Sequence, residues 1–167
     1  MRHSPIAIPL LVVLAACQPP GAPDTVHAPA DSAAGETAFE LAGPNGAALM
    51  VPVHVNGEGP FRFVLDTGAT VTCVEDAVAE RLALPTARGA SGIGAGVEGT
   101  ARMRLVRLDS LRVGGARAEG LTACALDLAH TAAIGVEIEG LLGLDFLRSY
   151  RVTLDFDRQV LLLQAAD

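Results

Sequence analysis

The chain has 167 residues, half of them hydrophobic, and a formal net charge of −7. That length holds one domain and its core, with little to spare. The acidic balance argues against nucleic-acid binding, which needs a basic face. Aromatic residues make up only 4% with no Trp, so Gly, Ala, Val and Leu must build a compact β-rich domain with many tight turns.

Arg2 and His3 give a weakly basic start, and the apolar run 6–14 is too short to span a bilayer. The run ends in Leu14-Ala15-Ala16-Cys17, which resembles the lipobox of bacterial lipoproteins. That resemblance implies a signal peptide over 1–16 and acylation of Cys17 as the new N-terminus. The other reading is an ordinary secretory signal in which Cys17 is incidental. Residues 17–36 are rich in Pro, Ala and Gly and lack any period, so they read as a tether. Such a tether would hold a folded domain, residues 37–167, off a membrane surface. An exported chain anchored this way belongs in the bacterial cell envelope, facing the periplasm or the outside, with the membrane as a partner through its lipid.

From Thr37 onward the periodicity is mostly two. The stretch 47–66 predicts two strands around Asn56-Gly57, a strong hairpin signal. Val78 and Leu82 lie one helical turn apart ahead of Pro85, which predicts a short helix. Met103, Leu105, Leu108, Leu111 and Val113 predict a long strand that turns at Gly114-Gly115 and returns. Arg102, Arg104, Arg107 and Arg112 lie among these apolar residues and read as a solvated face rather than a phosphate site. A last hairpin should turn near Asp157-Arg158, with Asp155 and Asp157 as solvated turn residues. The whole predicts roughly seven to nine short strands and one or two short helices.

Within this pattern, Phe63-Val64-Leu65 heads into a core and Asp66-Thr67-Gly68 follows at once. A buried carboxylate is costly, so Asp66 needs hydrogen bonds, a partner or a chemical use. The stretch Val64 to Thr70 resembles the active-site loop of the retropepsin-like aspartic proteases. Three further features fall in that family's order: the glycine-rich segment 89–99, Leu141-Leu142-Gly143 followed by a short helix, and the closing strand hairpin. The resemblance covers about 39–163. It implies a mainly β, closed barrel-like acid-protease fold with one or two short helices. It also implies an aspartic endopeptidase acting on peptide or protein substrates, with neither metal nor other cofactor.

Family members carry one such loop per chain, and this chain has a single Asp-Thr-Gly. The resemblance therefore implies a homodimer in which Asp66 from each protomer forms the catalytic pair. Thr67 would lock the two loops together, and Gly68 would let its backbone donate to the carboxylate. Gly92, Ile93 and Gly94 would belong to a flap that folds over substrate. Two departures bear on specificity. Thr70 and Val71 stand where viral members carry an acidic residue that helps hold substrate backbone. Leu144 and Asp145 stand where those members have an Arg, so the associated ion pair cannot form in the same way.

In an exported chain with Cys17 lipidated, Cys73 and Cys124 remain, an even number in an oxidising compartment. The family layout sets the strands that carry them side by side. They are then either a disulfide or two small buried hydrophobes.

Other chemistries find less support. Gly94 to Gly99 matches the G-x-G-x-x-G dinucleotide fingerprint, but the following residues alternate like a strand instead of opening a helix. His3, His27, His54 and His130 are scattered, none at metal-ligand spacing. Ile93 spoils a G-x-S-x-G elbow. The rival from another class is a non-catalytic peptide-binding or assembly lipoprotein that keeps the fold for its groove.

Overall fold

The computed structural model describes residues 35–96, 99–129, 131 and 135–166. The first long predicted hairpin turns at Asn56 and Gly57, which both take positive φ (52° and 85°). A two-residue hairpin turn demands that conformation. It joins β3 (Ala48–Val55) to β4 (Glu58–Leu65). The same Asn56 reaches across the sheet: its Oδ1 accepts from the amides of Asp109 (2.8 Å) and Ser110 (3.1 Å).

The remaining strands are β1 (Gly35–Ala38), β2 (Glu40–Ala42), β5 (Cys73–Glu75), β6 (Thr86–Gly96), β7 (Gly99–Val113), β8 (Ala116–Leu126), β9 (Gly140–Leu142), β10 (Tyr150–Asp155) and β11 (Val160–Ala165). The helices are α1 (Asp76–Arg81) and α2 (Leu144–Leu147). The described residues thus hold eleven strands, more than the seven to nine expected. The excess lies in β1, β2, β5 and β9, each three or four residues long. A strand that short shows no period of two, and only its neighbours make it a strand.

The larger sheet runs β2-β3-β4-β9-β5-β8-β7-β6, and an additional β3–β7 pairing closes it into a ring. Two of its contacts are parallel, β4 with β9 and β5 with β8. A separate antiparallel sheet, β1-β11-β10, joins the first described strand to the terminal hairpin. That hairpin turns where expected, with Asp155 accepting from the Arg158 amide at 2.9 Å.

Inside the ring, Val53, Phe63, Val74 and Leu142 are fully buried. The long strand β7 departs from simple alternation. Val106 and Leu108 are buried on one face, and Leu111 and Val113 on the other. Its last three residues also pair with β3, so a second surface covers the strand there. Helix α1 is short, as predicted, and buries Val78 and Ala79. The Glu75 carboxylate caps it by accepting from the Ala77 amide.

Candidate active site

Strand β4 delivers Asp66. Phe61 and Phe63 point into the core, and Asp66 follows one residue past the strand's end. The expectation of a buried carboxylate is corrected here: Asp66 is half-buried, and Thr67 and Gly68 are exposed. The chain turns at once after the strand, which lifts the carboxylate toward the surface. One carboxylate oxygen, Oδ1, accepts from the Gly68 amide at 2.8 Å. The Asp66 carbonyl accepts from Ala69 N (3.3 Å), and Asp66 N donates to the Leu142 carbonyl (3.1 Å).

That last bond brings in the second motif. β9 runs parallel to β4 with Leu65 opposite Leu142, so the Leu141-Leu142-Gly143 segment lies directly beside the Asp66 strand. Gly143 is required by close approach: a Cβ there would stand 2.6 Å from the Val71 carbonyl carbon. Its amide donates to Thr72 Oγ1 (3.1 Å). At the start of α2, Leu144 N donates to Ala69 O (2.8 Å) and Asp145 N to Thr70 O (3.2 Å). The Asp145 side chain closes the arrangement. Its Oδ1 accepts from Thr72 N (2.9 Å), Thr72 Oγ1 (2.6 Å) and Phe146 N (2.9 Å).

Asp145 and Thr72 are the pair that sequence reasoning missed. From the sequence, Leu144 and Asp145 register only as the loss of an ion pair. The available signal is a Thr two residues beyond the Thr70 position, facing an Asp two residues after Gly143, but nothing in the spacing links them.

Cys73 and Cys124 are directly opposed on β5 and β8, with Cα atoms 4.4 Å apart and their sulfurs bonded. The Cys124 amide also donates to the Thr72 carbonyl at 2.9 Å, so the bridge sits beside the end of the Asp66 loop.

Gly92, Ile93 and Gly94 lie in β6, paired with Met103, Arg102 and Ala101 of β7. Strand β6 ends the larger sheet, so among the described residues no strand pairs with its far edge. Gly94 and Gly96 of the G-x-G-x-x-G match lie in β6 and Gly99 opens β7, a strand and not a helix, which removes the dinucleotide reading. An open cleft of about 690 Å³, lined by Glu58, Phe61, Arg81 and Glu139, lies at the opposite end of β4. Phe61 is roughly 17 Å along the strand from Asp66, so this cleft is no part of the loop.

Of the four histidines, His54 is the one described. It sits on β3 opposite Arg112, with its Nδ1 buried and unpartnered. Burial and the Arg112 charge together lower its pKa below 6.5. His3, His27, His130 and Cys17 lie outside the described residues. Among the described residues no group of three His, Cys, Asp or Glu side chains could hold a metal ion.

A closed ring of strands with an Asp-Thr-Gly turn laid against a hydrophobic-hydrophobic-Gly strand defines a class of protein. The family profile described as aspartyl protease matches residues 51–146, which takes in both elements. The chain belongs to the aspartyl protease family. Its fold is that of the retropepsin-like members. A retropepsin-like aspartic protease from Rickettsia conorii superposes with a TM-score of 0.53 at 18% identity, over 81% of this chain and 95% of that one. The retroviral protease-like domain of Ddi1 from Leishmania major also matches, with 17% identity, 72% and 94% coverage, and a TM-score of 0.45. So does EIAV protease complexed with the inhibitor HBY-793, at 20% identity, 64% and 86% coverage, and a TM-score of 0.45. No curated protein sequence matches the chain.

Proposed function

We propose that the protein is an aspartic endopeptidase whose site is completed by a second copy of itself. The observation that carries this reading is Asp66, held at the end of an apolar strand by Gly68 N and Leu142 O while the turn leaves it half-buried. The sequence holds one Asp-Thr-Gly, so each protomer offers half of a catalytic pair.

Two carboxylates brought that close cannot both ionise, and they share one proton. The charged member takes a proton from a water, whose oxygen then attacks the scissile carbonyl carbon. The protonated member donates to the carbonyl oxygen, and on collapse the leaving nitrogen receives a proton as the C–N bond breaks. In this reading Thr67, exposed beside Asp66, meets its counterpart across the dimer axis. The β6–β7 hairpin acts as the flap, its backbone at Gly92, Ile93 and Gly94 binding the substrate peptide. Cys17 anchors the chain by lipid in the cell envelope, a reading supported by the Leu-Ala-Ala-Cys run alone.

Peptide hydrolysis measured against pH, for wild type and Asp66→Asn, tests the chemistry. Wild type should lose activity on both sides of an acidic-to-neutral optimum, because only the singly protonated pair works. Asp66→Asn should retain the fold and lose turnover by several orders of magnitude. Equal hydrolysis by the two proteins would overturn the peptidase reading, and a wild type that binds peptide without cleaving it would favour the binding lipoprotein. For the anchor, Cys17→Ala should move the protein to the soluble envelope fraction, and continued sedimentation with membranes would contradict lipidation.

A further inference from the structure

We propose that Thr72 and Asp145 are positioning residues that hold the Asp66 loop in its working geometry. The inference rests on the peptidase reading for its kinetic consequence, though not for its structural one. Thr72 is the one fully buried polar side chain among the described residues. It closes the loop that Asp66 opens. At the opening end, a single backbone bond ties Asp66 N to Leu142 O. At the closing end, Thr72 Oγ1 accepts from Gly143 N and donates to Asp145 Oδ1 at 2.6 Å, and Thr72 N donates to the same oxygen.

The two ends therefore fix the loop against one continuous segment, 142–145. Between them, the backbone bonds from Leu144 to Ala69 and from Asp145 to Thr70 form only if that register holds. Removing the Asp145 carboxylate would leave two donors of the fully buried Thr72 without their acceptor. Thr72 would keep its bonds to Gly143 N and Cys124 N, but the loop would lose the side-chain tie that sets its register against 142–145, and the carboxylate would wander.

Asp145 acts through one oxygen. Oδ1 takes three donors, whereas Oδ2 is buried and takes none. An amide with its carbonyl in the place of Oδ1 keeps all three bonds, so Asn should serve where Ala cannot. Likewise Ser keeps the hydroxyl of Thr72, and Val keeps its shape without the hydroxyl. This pattern of rescue separates positioning from bulk stability.

The experiment compares Asp145→Ala, Asp145→Asn, Thr72→Val and Thr72→Ser with Leu161→Ala, a core change in β11 of the other sheet. Peptide hydrolysis is measured where wild-type activity per chain no longer depends on concentration, together with melting temperature and amide exchange over 66–72. Asp145→Ala and Thr72→Val should lose about a hundredfold in kcat, the effect of an ångström-scale misplacement, with KM changed far less. Their loop amides should exchange faster. Asp145→Asn and Thr72→Ser should keep kcat within about threefold of wild type, while Leu161→Ala lowers the melting temperature and leaves kcat and loop exchange alone.

Asp145→Ala with a lowered melting temperature but wild-type kcat and loop protection would overturn the proposal. So would Asp145→Asn behaving like Asp145→Ala. If Asp145→Ala does not fold, Thr72→Val against Thr72→Ser decides. A wild type that cleaves nothing would sink the peptidase reading, and loop exchange alone would then decide the lock.

Discussion

In the terminal sheet of β1, β11 and β10, the side chains of β11 alternate: Leu161 and Leu163 are buried, and Val160, Leu162 and Gln164 are partly exposed. Burial of that kind is non-directional, so small shifts cost little. Along the Asp66 loop, 66–72, only Thr72 is buried, and the loop is held by hydrogen bonds to 142–145. Those bonds weaken steeply once their angles open. The terminal sheet should therefore govern how stable the protein is. The loop should govern where one carboxylate sits.

The disulfide is the element where the two roles meet, because it borders Thr72 yet closes 51 residues of chain. Replacing both Cys73 and Cys124 by Ala should cost about 4 kcal/mol in the chain-entropy account, read by chemical denaturation. Mass spectrometry of the digested, non-reduced protein should show the linked peptides. Free thiols at both positions in the native protein would remove this effect.

Leu161→Ala sharpens the contrast from the other side. It should destabilise by about 3 kcal/mol, the middle of the range for a large-to-small core change. Peptide hydrolysis per folded chain should not alter. A loss of kcat in this variant would mean that the terminal sheet and the loop are not separable.

Tyr150 offers a smaller break in the terminal sheet. Its hydroxyl donates to the Arg117 carbonyl (2.8 Å) and accepts from the Arg117 amide (3.1 Å), tying β10 to β8. Tyr150→Phe should cost about 1–2 kcal/mol, since both backbone groups lose their partner. Burial raises the Tyr150 pKa above 10, outweighing the opposing effect of its hydrogen bond to Arg117. The neutral phenol is thus favoured in the fold, and its contribution is full below pH 10 and lost as pH rises through the raised value. Tyr150→Phe should flatten that alkaline decline.

The smallest effect belongs to His54. Its pKa is lowered in the fold, so the unfolded chain takes up a proton first as pH falls. Stability from this residue is complete above pH 6.5 and is lost as pH drops through the lowered value. A melting-temperature series from pH 8 to 5 should show a shallower acid slope for His54→Gln. A slope identical to that of wild type would remove His54 from the account.

Much of this architecture is legible in the sequence because periodicity and turn chemistry speak plainly. Asn56-Gly57 announces its hairpin, Leu161 and Leu163 alternate, and Asp66-Thr67-Gly68 follows its apolar strand in the order that the family keeps. The polar lock is not legible. Thr72 and Asp145 are 73 residues apart, and a pair made by one hydroxyl and one carboxylate leaves no repeating pattern. Strands β5 and β9 are hidden for a related reason: each has three residues, and the pair exists because β4 and β8 flank it. The half-burial of Asp66 also escapes a linear reading, since Phe63 to Leu65 suggests continued descent into the core and the turn reverses it.

The central claim is that a working site takes one Asp66 from each of two protomers. Wild-type protein is mixed with increasing amounts of Asp66→Asn, allowed to exchange subunits at low concentration, then concentrated and assayed for peptide hydrolysis. Activity per wild-type chain should fall steadily as the inert variant takes up wild-type partners, and should also fall on dilution of wild type alone. Activity per wild-type chain that stays constant at every ratio, from a species that sediments as a monomer, would contradict the account.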